Sequence, residues 1–339
     1  IYSILKTIGE YPEFLLKEQR IMYYLGIDLG GTNIAVGIVD ENNQIIARAS
    51  SKTQVDSAEQ VAVAMAETAR EALKNAGITL NGVPWIGLGS PGTINKATGI
   101  IEYANNLPFA NTPMEKMLSE RLEGKKVLME NDANAAAYGE YMAGALKGAD
   151  NAVAITLGTG VGGGIIINHK IYSGSNFAGA ELGHTVIVVD GRPCTCGRHG
   201  CWETYASATG LIKTTKEHMD KAPKDSPLWT LVEGDINKVS GRTAFDAMRQ
   251  GDPIGKEIVG EYVKYLSVGI VDMINIFQPD ILCIGGGISN ERETLMAPVR
   301  AFVEADQYAR NSSKKTVVCR AELGNDAGII GAALLGKEA

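Results

Sequence analysis

One pattern occurs twice in this chain: an apolar run, a glycine turn and a second apolar run. The first copy is YYLGIDLGGTNIAVGIVD, turning at Gly30 and Gly31; the second is NAVAITLGTGVGGGIIINHKIYSG, turning within 158–164. Each reads as a β-hairpin, and the recurrence reads as an internal duplication with a long period. A third strand at 44–49 follows the first copy. After it comes a helix at 57–75, with Val61, Met65, Ala69 and Leu73 spaced four apart on one face, so the first unit is βββα. Strands at 85–89 and 126–130, a helix at 133–141, and a strand at 280–284 leading through Gly285-Gly286-Gly287 into a helix from Asn290 continue the alternation. The class is α/β, and two similar lobes facing each other would bring three glycine turns to one crevice.

A length of 339 residues leaves room for two lobes and a cleft. With 45% hydrophobic and 21% charged residues, disorder and coiled coil are both excluded. The formal charge is -7 and no Lys/Arg cluster stands out, so no nucleic-acid partner is expected. The most apolar stretch, 152–167, is shorter than the ~20 residues of a membrane helix and contains five glycines, so no membrane association is expected. The 5 cysteines are an odd number with no secretory signal, which predicts a reducing, cytoplasmic setting. Residues 1–21 scatter charges among apolar side chains and lack the centre of a signal peptide; they read as an extension of uncertain origin ahead of the strand pattern that opens at Met22.

The glycines point to phosphate. No G-x-x-x-x-G-K-[ST] loop is present, and although Gly158, Gly160 and Gly163 satisfy G-x-G-x-x-G, the run after them reads as a strand, whereas a dinucleotide fingerprint must open a helix. Glycine hairpins from two lobes can instead offer backbone N–H donors to a nucleotide's phosphates, with Thr32 and Thr159 adding hydroxyls. Tight turns without a ligand are the plainer alternative. Asp28, just before Leu29-Gly30-Gly31, is placed to hold Mg²⁺ through water, since magnesium binds through few carboxylates plus phosphate oxygens.

The segment GAELGHTVIVVDGRPCTCGRHGCWE is the most specific in the chain. Cys194, Cys196 and Cys201 fall within eight residues, and three thiolates plus an imidazole make a tetrahedral zinc shell. Spacing leaves either His184 or His199 as the fourth ligand. Glu181 and Glu203 flank the cluster, and a zinc-anchored loop would hold these carboxylates where they can bond the vicinal hydroxyls of a sugar. Asn131-Asp132 stands where a buried strand gives way to a helix. Asp132 there is either a helix cap or the base that takes a proton from a substrate hydroxyl as it attacks a γ-phosphoryl group, a gain of ~10²–10⁴.

These residues together resemble the ROK family of sugar kinases and repressors, and within it the bacterial ATP-dependent glucokinases. The resemblance runs from Met22 to the C-terminus. ELGH followed by CTCGRHGCWE is similar to the family signature E-x-G-H … C-x-C-G-x-x-G-C-x-E, and DLGGT, END, LGTGVGGG and GGG match its phosphate and catalytic motifs. The resemblance implies a two-lobed actin-like, ribonuclease-H-like fold, with a small lobe of 22–131 joined by a C-terminal helix near 325–339, and a large lobe of 132–324 that carries the zinc loop. It implies MgATP-dependent phosphorylation of the 6-hydroxyl of glucose, with Asp132 as base. Sugar contacts fall on Asn106, Asn131, Asp132, Glu181, His184 and Glu203. Structural zinc falls on His184, Cys194, Cys196 and Cys201. ATP falls on Asp28, Gly30, Gly31, Thr32, Asn33, Gly158, Thr159, Gly160, Gly285, Gly286 and Gly287. Related kinases for N-acetylmannosamine, fructose or allose, and a sugar sensor without catalysis, are the alternatives. Homodimers or homotetramers are implied. The 21 residues before Met22 are too few for the winged helix-turn-helix of family repressors, so a regulator is not expected. One departure is local: many relatives read NLPGW where this chain has Asn106-Leu107-Pro108-Phe109-Ala110.

Overall fold

The computed structural model describes residues 22–338; the extension at 1–21 lies outside them. The chain opens with β1 (Tyr24–Leu29), β2 (Asn33–Val39), β3 (Ile45–Lys52), α1 (Ala58–Ala76), β4 (Ile86–Ser90), β5 (Thr93–Asn95), β6 (Ile100–Tyr103), β7 (Ala110–Thr112), α2 (Met114–Arg121), β8 (Val127–Asn131) and α3 (Asp132–Ala143). It continues with β9 (Ala152–Leu157), β10 (Val161–Ile167), β11 (Lys170–Ile171), α4 (Glu203–Ala206), α5 (Ala208–Met219), α6 (Pro227–Leu231), α7 (Thr243–Arg249) and α8 (Pro253–Phe277). The last elements are β12 (Ile281–Gly285), α9 (Glu293–Asp306), β13 (Val317–Arg320) and α10 (Ala327–Leu334).

The duplication is present strand for strand. One sheet has the order β3-β2-β1-β4-β8 and the other β11-β10-β9-β12-β13. In each, an antiparallel hairpin continues into two parallel strands: β4 and β8 on one side, β12 and β13 on the other. Central strands β1 and β4 are buried almost throughout, as parallel strands covered on both faces are. Helix α1 covers one face with Val61, Met65, Ala69 and Leu73. It is capped by the Ser57 hydroxyl, which accepts the Gln60 N–H, and is stopped by Gly77 at φ 69. Helix α10 covers the other face at backbone contact. A Cβ on Gly87 would meet the Ala332 carbonyl oxygen at 1.7 Å, and one on Gly331 would meet that of Ala135 at 1.7 Å, so α10 is wedged between the first sheet and α3.

Besides α2 and β13, two larger regions went unread in the sequence. The small sheet β5-β6-β7 is made of strands only three or four residues long. The helical region α4–α8 supplies most of the second core, including Trp202, Phe245 and Tyr262. The helix expected from Asn290 begins at Glu293, after a 3-10 turn at Gly287–Glu291. Among the described residues, no helix is long and apolar enough to cross a membrane.

Candidate active site

A cavity of about 600 Å³ opens where the two sheets, α3 and α10 meet. Its wall includes Asp28 from β1, Asp132 from the first turn of α3, Gly158, Gly160 and Gly162 from the second hairpin, and Gly285, Gly286 and Gly287 after β12. Glu181 and Glu203 also line it. The chain after Gly160 continues as strand β10, in keeping with the rejection of a dinucleotide fingerprint.

The third glycine turn stands apart from this wall. The Gly30 N–H bonds the Asn33 carbonyl oxygen at 2.9 Å, closing a tight turn on which Thr32 and Asn33 are exposed. The Lys52 ammonium donates to the Asn33 side-chain oxygen at 2.9 Å, and the Asn33 amide donates to the Thr32 hydroxyl. Asn106 lies against this turn, 3.8 Å from where a Gly31 Cβ would sit. Thr159 is exposed, and its carbonyl accepts the Thr209 hydroxyl at 2.8 Å.

Helix α3 is capped by Asn131, whose side-chain oxygen accepts the Ala133 and Asn134 N–H groups at 3.0 and 3.3 Å. Asp132 is therefore the first helical residue; it also accepts the Ala133 N–H, at 2.9 Å, but is not the cap residue. Burial raises the Asp132 carboxyl above the usual carboxylate range, opposed by hydrogen bonds from Ala133 and Asn131. Asp28 is pushed up to about 6, first by burial and then by the Asp132 charge, so the two carboxylates share one electrostatic environment. Gly328, at the start of α10, lets Asp28 lie close: a Cβ there would meet its Oδ2 at 2.5 Å. Glu181 is exposed as a residue, yet partial desolvation in the cleft raises its carboxyl. His184 opposes that rise, while Asp132 and Glu203 add to it.

The cysteine loop resolves the histidine choice. The ligand atoms of His184, Cys194, Cys196 and Cys201 all lie within 4.8 Å of one another, while His199 is exposed outside the group. His184 Nδ1 is 3.6 Å from Cys194 Sγ, and Cys196 Sγ is 3.6 Å from Cys201 Sγ. Three thiols and one imidazole converging this closely fit a tetrahedral zinc ion. The loop is itself folded: Cys194 N–H bonds the Arg198 carbonyl oxygen at 2.9 Å, and Val186 bridges to Cys201. After Cys201 the chain is pinned by Trp202, which is fully buried and donates its indole N–H to the Tyr265 carbonyl of α8 at 3.0 Å. Glu203 follows directly, so its position is set by the Cys201 end of the cysteine cluster on one side and by α8 on the other.

In the departing segment, Phe109 is 3% exposed and packed in the first core, away from the cavity wall. Two buried carboxylates near the cavity were not singled out in the sequence. Glu140, buried on α3 and lining the cavity, accepts N–H groups of Ala145, Glu322 and Leu323, just ahead of Gly324 and Asn325 in the wall. Glu130, the first letter of END, is buried two residues before Asp132. Glu130 is a charge directly after the apolar run Val127–Met129, a signal that was available.

The ROK family pattern matches residues 24–339. The chain belongs to the ROK family. Among ROK relatives, it is 39% identical over 316 residues to the glucokinase of Thermotoga maritima, covering 93% of this chain and 97% of that one. It is 35% identical over 315 residues to the glucokinase of Streptomyces coelicolor, again covering 93% and 97%. The crystal structure of a ROK family glucokinase from Streptomyces griseus, in complex with glucose and AMPPNP, superposes with a TM-score of 0.79 at 34% identity, covering 94% of this chain and 100% of that one. The duplicated sheets of this ROK chain therefore form the two-lobed actin-like fold of the ROK sugar kinases.

Proposed function

We propose that this protein is a glucokinase, transferring the γ-phosphoryl group of MgATP to the 6-hydroxyl of glucose. The observation that carries the reading is one cavity in which Asp132 shares its wall with Glu181, Glu203 and two glycine turns. The coarser statement, an ATP-dependent phosphotransferase of the hexokinase type, stands on the glucokinase relatives and the AMPPNP complex.

Asp132 accepts the proton of the 6-hydroxyl as that oxygen attacks the γ-phosphorus and the bond to the β-phosphate oxygen breaks, releasing ADP. Its raised pKa makes it a better proton acceptor than an ordinary surface carboxylate. Asn106, Asn131, Glu181, His184 and Glu203 read the remaining sugar hydroxyls. The turns at 158–160 and 285–287 offer backbone N–H groups to the nucleotide, and Gly30, Gly31, Thr32 and Asn33 join them as the lobes close. Asp28 fits Mg²⁺, being a carboxylate in the cavity wall beside the glycine turns; when bound, the ion neutralises charge on the phosphates. Zinc would be held by His184 and the three cysteines; with Nδ1 turned to the Cys194 thiol, Nε2 would be the nitrogen left for a sugar hydroxyl.

A panel of sugars in a coupled ADP assay tests the substrate. Turnover is expected on glucose; turnover on N-acetylmannosamine, fructose or allose with none on glucose would overturn the assignment.

A further inference from the structure

Glu130 is the next-to-last residue of β8, 2% exposed and directly before Asn131. Its Oε1 accepts the Asn131 backbone N–H and the Asn134 side-chain amide, both at 3.0 Å, and its Oε2 accepts the Lys96 ammonium at 2.6 Å. The Ser173 hydroxyl donates toward both oxygens, at 3.4 and 3.2 Å. A buried charge costs several kcal/mol unless it is paired and fully hydrogen-bonded, and neither neighbouring element needs this one. Asn131 already caps α3, and β8 already has its ladder to β4.

What the carboxylate does join is three separate parts of the molecule. Lys96 comes from the turn between β5 and β6, Asn131 and Asn134 from the start of the helix that carries Asp132, and Ser173 from the segment leaving β11 of the second sheet. The Ser173 carbonyl accepts the Gly179 N–H at 2.9 Å, closing a loop that ends two residues before Glu181. A short path of hydrogen bonds therefore runs from the Asp132 turn through Glu130 and Ser173 to the Glu181 loop.

We propose that Glu130 is a positioning residue that fixes the base Asp132 relative to the sugar-facing Glu181, by binding the Asn131 peptide on one side and Ser173 on the other. This rests on the reading of Asp132 as base. A misplacement of reacting groups by about 1 Å costs on the order of 10² in rate, so Glu130 acts on hexose phosphorylation without touching either substrate.

The test uses Glu130→Gln, Ser173→Ala and the double variant Lys96→Met/Glu130→Gln in the full chain, with kcat, both KM values and thermal midpoints. Glu130→Gln is expected to lower kcat roughly 10–100-fold with the MgATP KM within about twofold. The neutral amide of that variant cannot balance the Lys96 ammonium, so the double variant is expected to recover kcat above the single one. Ser173→Ala, which loses only one long hydrogen bond, is expected to lower kcat/KM for hexose about 2–10-fold with the MgATP KM unchanged; it decides the matter alone if Glu130→Gln does not fold. A role in stability alone would lower the thermal midpoint and leave kcat and hexose KM of the folded protein at wild-type values, and that result overturns the proposal, as does an equal rise in both KM values. Asp132→Asn, run in parallel, separates the two readings. If it keeps turnover, the base assignment fails; if it is inactive while Glu130→Gln and Ser173→Ala behave as wild type, only this inference fails.

Discussion

The Glu203 carboxylate accepts the backbone N–H of Val161 at 3.0 Å, which seats the end of the cysteine loop on the glycine turn of the second hairpin. The elements proposed to face sugar and phosphate thus touch through this hydrogen bond. At Gly160 a Cβ would come within 2.3 Å of Glu203 Oε2, so the contact exists only because no side chain stands there. Gly160→Ala is expected to displace Glu203, raising hexose KM about tenfold, the loss of a hydrogen bond to a charged group. The thermal midpoint should fall little, since the displaced atom is the end of a flexible side chain. Steady-state kinetics with both substrates varied will check this; an unchanged hexose KM would remove Glu203 from sugar binding.

Zinc removal is expected to loosen Glu203 and His184 together, because a metal on the His184, Cys194, Cys196 and Cys201 cluster would tie down the loop that carries both. Metal analysis should find zinc in the folded protein. Stripping it with a chelator should lower the thermal midpoint and raise hexose KM more than MgATP KM. A zinc-free preparation with native stability and hexose KM would contradict this.

The pH dependence of the ligand-free protein follows from Asp28. Its carboxyl titrates near about 6 in the fold against 3.8 for an ordinary aspartate. Folding therefore favours the protonated form, and the stability it contributes is fully present below 3.8 and lost as pH rises through about 6. At 1.36 kcal/mol per pKa unit this amounts to no more than about 3 kcal/mol. Asp28→Asn, which stays neutral, should flatten the decline between pH 4 and 6 and be more stable than wild type at pH 7. Thermal midpoints across that range, without metal or nucleotide, provide the measurement; parallel curves would mean that Asp28 is not desolvated by its neighbours.

The duplication was legible because β1–β2 and β9–β10 are long apolar runs broken by glycine, a signal that survives without tertiary context. The cysteine cluster was legible because its ligands lie close in sequence; spacing alone left His184 and His199 open, the family resemblance assigned His184, and the fold gathers His184 with the three thiols. β5–β7 were not legible, since three-residue strands carry no periodicity. Helix α8 could have been found: Asp252 caps it by accepting the Ile254 and Gly255 N–H groups, and Pro253 sits at its first position, a start signal plain in the sequence. Its buried residues Ile258, Val259, Tyr262, Val263 and Leu266 recur three and four apart, with Lys256, Glu257, Glu261 and Lys264 on the other side, so its amphipathic stripe was also there to be read. Glu130 was missed because its partners Lys96 and Ser173 lie 34 and 43 residues away.

The most direct measurement is ADP release and glucose binding by Asp132→Asn, which keeps the shape of the side chain and removes its basicity. Release of ADP should fall ~10²–10⁴-fold, while calorimetric glucose affinity stays within a few-fold of wild type. ADP release at or near the wild-type rate would contradict the account at its centre.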